Sequence, residues 1–183
     1  MTDELFNQAM ERVKHKDRDA LRAIYEDYVG FVFHVVLDMV RQQETAEDIT
    51  SEFFIRLYEK ADQYRPGTGH RGYLATIARN MTIDYIRKNQ KEQLLDLPEG
   101  EDDAPDNDIP DLNSKTPEEE VVSECSVEEA LSKLKPIYRQ IVTMKVLGDM
   151  TFKEISEVLN IPMGTVTWNY QDAIKQLRRY GYE

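Results

Sequence analysis

Residues 92–127 divide the sequence into two parts, because they cannot contribute to a hydrophobic core. The stretch LPEGEDDAPDNDIPDLNSKTPEEE within them holds four prolines, many acidic residues and few large apolar ones. Such a segment buries too little apolar surface to offset the entropy cost of ordering the chain. We therefore expect a flexible acidic linker between two folded domains, residues 1–91 and 128–183.

The negative charge of the chain is concentrated around the same segment. The net charge is −12, yet residues 1–91 carry only −1. Residues 92–129 contain 15 acidic residues and 1 basic residue, whereas residues 130–183 carry +3. The overall acidity therefore does not exclude contact between either flanking domain and nucleic acid.

Composition also excludes several classes of protein. The sequence has no apolar run of about 18 residues that would span a membrane, and its first residues lack the basic-then-apolar order of a signal peptide. A single cysteine, Cys125, cannot form an internal disulfide, and three scattered histidines lack metal-ligand spacing. We expect a cytoplasmic protein with no membrane insertion, no metal or other cofactor, and no catalytic residues.

Apolar residues in both flanking domains recur at helical spacing, and no window alternates as a strand does. The predicted fold is therefore all-α. Thr45 with Asp48, and Thr151 with Glu154, match the capping-box pattern at two helix starts. Gly148 is expected to end the helix that Pro136 begins. The predicted helices cover approximately residues 2–16, 17–40, 46–59, 70–91, 127–135, 136–147, 152–159 and 163–179.

The helix over residues 70–91 has two distinct faces. An apolar stripe predicts burial and consists of Leu74, Ile77, Ala78, Met81 and Tyr85. Asn80, Asp84, Arg87 and Lys91 share another edge, with further positive charge nearby. This face can hold phosphates and hydrogen-bond base edges, although an ordinary solvated face has the same composition.

Two further segments carry functional hypotheses. The sequence YRPGTG (residues 64–69) is a loop by its turn chemistry, and its aromatic and basic residues could grip an unstacked base; the alternative is a plain connector. The helix over residues 46–59 has a mixed, acidic outer side that suits a protein partner better than DNA; the alternative is an ordinary solvated face.

The segments 152–159 and 163–179 predict a helix-turn-helix, since a turn of about three residues joins a short helix to a longer one. On the longer helix, Val166, Tyr170, Ala173 and Leu177 are predicted to pack inward. The residues predicted to face a DNA groove are Thr165, Trp168, Asn169, Asp172 and Lys175.

Two separated segments resemble one family. ALRAIYEDYVGFVFHVV, AEDITSEFFIRLYEKADQYRP and HRGYLATIARNMTIDYIRK resemble region two of bacterial extracytoplasmic-function sigma factors. LSKLKPIYRQIVTMKVLGDMTFKEISEVLNIPMGTV resembles their region four. The resemblance covers approximately residues 18–91 and 128–179, in the family's order. It implies a specificity subunit that binds core RNA polymerase and directs promoter-specific transcription initiation.

The resemblance also implies partners and contact residues. The partners would be core polymerase (the β′ clamp helices and the β flap), promoter DNA and an anti-sigma factor. Core polymerase would contact Asp48, Ser51, Glu52 and Arg56. The minus-ten element would contact Tyr64, Arg65, Arg71, Tyr73, Arg79, Asn80, Asp84, Arg87 and Lys88. The minus-thirty-five element would contact Thr165, Thr167, Trp168, Asn169, Asp172 and Lys175.

The recognition helix departs from the family pattern, because Thr167, Asn169 and Asp172 stand where basic residues are usual. Fewer phosphate contacts are then expected. Two alternatives stay open: a sigma-like decoy that binds polymerase or an anti-sigma factor without reading promoters, and a stand-alone helix-turn-helix regulator. A separate hypothesis is that the acidic linker covers the DNA-facing surfaces; the simpler reading is a soluble spacer.

Overall fold

The computed structural model describes residues 1–67, 69–95 and 127–179. Most of the predicted acidic linker, including Cys125, lies outside these residues. All regular elements of the described residues are helical, as predicted. In chain order they are α1 (Asp3–Lys14), α2 (Arg18–Val40), α3 (Gln43–Glu59), a short 3-10 helix (Ala61–Gln63), α4 (His70–Leu95), α5 (Val127–Ser132), α6 (Pro136–Val146), α7 (Phe152–Leu159) and α8 (Met163–Arg179).

The N-terminal domain is built around α2, which packs against α1, α3 and α4. Asp17 begins α2, since its side chain accepts hydrogen bonds from the backbone N–H groups of Asp19 (2.9 Å) and Ala20 (3.2 Å). Ile24, Val32 and other apolar residues at helical spacing are fully buried. The helix predicted over residues 17–40 is therefore the central helix of this domain.

Two helix starts were predicted from capping boxes, and one prediction is wrong. Helix α3 begins at Gln43, so Thr45 lies inside its first turn, where it is buried and donates to the Gln42 side chain (2.7 Å). The Thr151–Glu154 box is confirmed. The Thr151 hydroxyl accepts from the Glu154 N–H (3.2 Å), and the Glu154 carboxylate accepts from the Thr151 N–H (2.7 Å).

Gly148 has a different role from the one predicted. Helix α6 ends at Val146, but the left-handed residue after it is Asp149 (φ 46°) rather than Gly148. A Cβ on Gly148 would lie 2.6 Å from a ring carbon of Phe31 on α2 and 2.6 Å from the Met144 carbonyl oxygen. The glycine therefore permits a close approach between the two domains.

The two domains pack directly on each other through α6. All residues from Tyr138 to Met144 are buried, because α6 lies between α8 of its own domain and α2 of the other. Helix α7 packs against α4 in the same contact. One buried apolar cluster includes residues of both domains, such as Phe31, Ile141 and Met144.

Within the described residues, no helix has the length and apolar character needed to cross a bilayer.

Candidate nucleic-acid interface

The outer side of α3 is exposed and acidic, as the sequence predicts. Asp48, Ser51 and Glu52 are exposed, and the Ser51 hydroxyl donates to the Glu47 carbonyl oxygen (2.9 Å). Arg56 is half-buried and forms an ion pair with Glu52 (3.0 Å). The four residues assigned to polymerase contact therefore lie on one accessible face.

Ile55 completes this face and was not among the predicted site residues. Its side chain is 59% exposed, between the acidic residues Glu52 and Glu59. An isolated exposed isoleucine is common on protein surfaces, but here it lies four residues after Ser51 and seven after Asp48 on the predicted outer stripe. Helical spacing alone would have identified it.

The structure places Tyr64 differently from the other predicted minus-ten residues. Its side chain is only 4% exposed, and its ring packs edge-on against Phe6 (5.6 Å) and Tyr73 (4.9 Å). Its hydroxyl donates to the Asn7 side chain. Burial therefore contradicts a direct stacking role for Tyr64 in this arrangement, whereas Arg65 is fully available to solvent.

The predicted DNA face of α4 is present along its middle. Asn80, Asp84, Arg87 and Lys88 are all exposed, whereas Leu74, Ala78 and Met81 on the other side are buried. Tyr85 was predicted to be buried but is 37% exposed. The face thus combines an amide, a carboxylate and two cations on one accessible surface, a set that suits base edges and phosphates together.

Three predicted minus-ten residues are partly covered. Tyr73 is half-buried against Tyr64, and burial raises the pKa of its phenol. Arg79 is half-buried too, and burial lowers the pKa of its guanidinium; its Nε has no hydrogen-bond partner among the described residues. Arg71 forms an ion pair with Asp149, just after α6 (3.5 Å).

Helices α7 and α8 form the predicted helix-turn-helix. Asn160 makes the turn in a left-handed conformation (φ 55°), and its N–H bonds back to Ser156. Thr165, Lys175 and Trp168 are exposed, Trp168 by 61%. Thr167 is half-buried, with its hydroxyl donating to the Met163 carbonyl (3.0 Å).

Two residues predicted to face DNA are covered to different degrees. Asn169 is buried (7% exposed) together with Val166 and Ala173. Asn169 lies three residues after Val166, a spacing that also fits the inward stripe, so its predicted outward orientation is wrong. Asp172 is half-buried and accepts a hydrogen bond from the Gln176 side chain (2.9 Å). Burial, and then the nearby Asp172 carboxylate, raises the pKa of Tyr138 on α6. Asp172 lies at the edge between the buried and the exposed sides.

Comparisons with known proteins agree with this architecture. Residues 24–92 match the family model for sigma-70 region 2, and residues 126–177 match that for sigma-70 region 4. The sequence is 30% identical over 179 residues to the ECF RNA polymerase sigma factor SigW of Bacillus subtilis, covering 96% of each chain. The chain belongs to the ECF sigma factors. It is also 29% identical to SigM of the same organism, over 75% of this chain and 80% of SigM.

Two solved structures have the same fold. One is RpoE in complex with the anti-sigma factor NepR from Bartonella quintana (TM-score 0.62, 16% identity, 87% of this chain and 94% of that chain). The other is CnrH in complex with the cytosolic domain of CnrY (TM-score 0.59, 15% identity, 97% and 95%).

Family membership defines the activity of the chain. An ECF sigma factor directs transcription initiation by RNA polymerase and is not an enzyme. Within the described residues, no cluster of side chains is suited to holding a metal ion.

Proposed function

We propose that this sigma factor acts in the cytoplasm and uses three separate surfaces. The α3 face, with Ile55 at its centre, binds the β′ clamp helices of core polymerase. The face of α4 and the loop before it hold the unstacked minus-ten strand, and the exposed start of α8 contacts the minus-thirty-five element near the β flap. The observation that supports the proposal is that two different faces lie on separate helices. The α3 face is acidic and partly apolar, whereas the α4 face includes Asn80 and Arg87.

The promoter geometry requires the two domains to separate. Elements centred about 25 base pairs apart lie roughly 85 Å apart along duplex DNA, at about 3.4 Å per base pair. In the structure, the start of α4 touches the segment after α6, since Arg71 and Asp149 form an ion pair (3.5 Å). The closed arrangement therefore corresponds to the free protein, and both elements are bound only after it opens.

The proposed minus-thirty-five contacts are reduced to Thr165, Thr167, Trp168 and Lys175, because Asn169 is buried and Asp172 is half-buried beside Tyr138. One exposed cation among four residues gives little phosphate affinity. Duplex binding by this domain alone is expected to be weak. Polymerase therefore has to raise the effective concentration of this domain at the DNA by tethering both domains. This argues against a stand-alone regulator.

An anti-sigma factor is the further partner we propose. The two structural neighbours are bound to NepR and to the cytosolic domain of CnrY. In this chain, large apolar residues remain exposed on α3, at the end of α6 and on α8: Ile55, Val146, Leu147, Met163 and Trp168. A protein that covers Ile55 or Trp168 would compete with the contacts proposed above.

The experiment is run-off transcription with purified bacterial core polymerase on pooled genomic fragments. We expect new discrete start sites that depend on the sigma factor. Ile55→Ser should weaken core binding about tenfold, because an apolar side chain at the centre of an interface is lost. Leu5→Ser is the matched control, since Leu5 is similarly exposed (54%) on α1. Core binding without any transcript would contradict the promoter roles, and equal effects of both substitutions would contradict the role of α3.

A further inference from the structure

Helix α1 contacts both ends of the loop that precedes α4. At the first end, the Tyr64 hydroxyl donates to the side-chain oxygen of Asn7. At the second end, the carboxylate of Asp3 accepts from the backbone N–H of His70 (3.1 Å) and also pairs with the His70 ring. Asp3 and Asn7 are four residues apart, so both project from the same side of α1.

The ends of the loop are buried and its tip is exposed. Tyr64 is 4% exposed and His70 is 3% exposed, whereas Arg65, Pro66 and Gly67 are open to solvent. Phe6, which lies between Asp3 and Asn7 in the sequence and is fully buried, touches both ends. Its ring stacks on His70 (4.8 Å, 23°) and meets Tyr64 edge-on (5.6 Å).

The contact with Asp3 also completes the start of α4. The first backbone N–H groups of a helix have no partner within the helix, and a carboxylate is favoured at this positive end. Here the cap comes from another helix, since Asp3 accepts from the first residue of α4. The pKa of Asp3 is accordingly held below its usual value by its hydrogen bonds with His70. The direction in which α4 leaves the loop thus depends on α1.

We propose that Asp3 and Asn7 are positioning residues for promoter melting, which hold the exposed tip around Arg65 in the conformation that receives an unstacked base. This rests on the proposed function of the loop and α4. A loop that is fixed before binding loses less conformational entropy when the base enters it. Helix α1 lies outside the residues that match sigma-70 region 2, so the family match assigns it no such role.

The test uses the full-length sigma factor with core polymerase and one promoter found in the run-off experiment with the wild-type chain. A 2-aminopurine base in the minus-ten non-template strand reports melting. We expect Asp3→Ala and Asn7→Leu each to slow melting about five- to tenfold, as for the loss of one hydrogen bond. Core affinity should change less than twofold, because neither residue lies on α3.

Matched controls are available on the same helix. Glu4→Ala removes an exposed acid from the same first turn, and Gln8→Ala removes an exposed amide next to Asn7; both should melt the promoter at the wild-type rate. Asn7→Asp keeps an acceptor for the Tyr64 hydroxyl and should restore most of the rate, which a purely structural role would not predict.

Two outcomes would overturn the proposal. Either Asp3→Ala and Asn7→Leu melt the promoter as fast as the wild type, or they lose core affinity in the same proportion as melting. If the wild-type chain itself gives no transcript, the proposed function fails first, and the two failures are thereby distinguished.

Discussion

Asp38 on α2 and Arg139 on α6 face each other across the contact between the two domains, with Asp38 Oδ1 3.8 Å from Arg139 Nε. Their side chains are only 7% and 11% exposed. Asp38 Oδ2, Arg139 Nε and Gln140 Oε1 have no hydrogen-bond partner among the described residues. Native interfaces leave few buried polar atoms unsatisfied, so this contact is suited to separating rather than to permanent closure.

Asp38 should make stability depend on pH. Burial raises its pKa from 3.8 to about 6, despite the opposing effects of a hydrogen bond with Thr143 and the charge of Arg139. The folded state therefore binds this proton more tightly than the unfolded state. The contribution favours folding at low pH and is lost as pH rises through about 6, with a total of roughly 3 kcal/mol.

The measurement is urea unfolding of wild type and Asp38→Asn between pH 5 and 7.5, a range chosen to bracket the Asp38 pKa of about 6. The stability of the wild type relative to Asp38→Asn should fall by roughly 1.4 kcal/mol as pH rises from 5, and the difference should level off above about pH 6.5. A difference that is constant over this range would show that Asp38 is not buried in solution.

Removing Arg139 should open the chain. Arg139→Ala leaves the buried Asp38 carboxylate without its ion-pair partner, a change that typically costs about 3–5 kcal/mol. Separation of the domains hydrates Asp38 and avoids this cost. Dyes are attached at Glu59→Cys and Lys175→Cys in a Cys125→Ser background. Arg139→Ala should lower the energy transfer between them. Lys135→Ala, at the exposed start of the same helix, is the control. Unchanged transfer in Arg139→Ala would contradict the domain contact.

Trp168 should matter for binding and not for stability. It is 61% exposed and is the single tryptophan of the chain. Trp168→Ala should change the free energy of unfolding by less than about 0.5 kcal/mol. The intrinsic emission of the wild type should be that of a solvated indole and should shift to shorter wavelength when DNA or a protein covers α8. Emission that is already blue-shifted in the free chain would contradict the exposed position.

The proximity of Asp172 to Tyr138, seen in the raised pKa of the Tyr138 phenol, should support the C-terminal domain. A double-mutant cycle with Tyr138→Phe and Asp172→Ala should give a coupling of about 1 kcal/mol in unfolding free energy. Gln171 directly precedes Asp172 and is exposed. Gln171→Ala should therefore show no coupling with Tyr138→Phe. Additive effects of Tyr138→Phe and Asp172→Ala would mean that Asp172 is free to face DNA after all.

Local patterns in the sequence were enough to predict the helices. Each helix buries one face, so apolar spacing identified α2, α4 and α8, and the Thr151–Glu154 box identified the start of α7. Thr45 failed as a cap because α3 starts two residues earlier and the threonine is buried there. Capping residues are common inside helices as well, so the pattern alone is weak evidence.

The sequence patterns did not predict the packing between the two domains. The positions of Arg139, Gln140 and Thr143 would suit an ordinary solvated face of α6, yet all three are buried by α2. Tyr64, Asn169 and Asp172 were assigned to DNA because their residue types suit it. Instead, Tyr64 binds Asn7, which is distant in sequence, Asn169 is buried, and Asp172 lies close to Tyr138 on a neighbouring helix.

Helix α6 is covered on both sides only while the two domains are together. The closed form therefore opposes the binding of polymerase, although nothing occupies the surface that polymerase would contact. If only one molecule in 100 is open, a polymerase that accepts only the open form binds with an apparent affinity about 100-fold below the intrinsic one. Substitutions on the Arg139 face of α6 would then tune holoenzyme assembly in either direction, and every contact with polymerase and promoter would remain as it is.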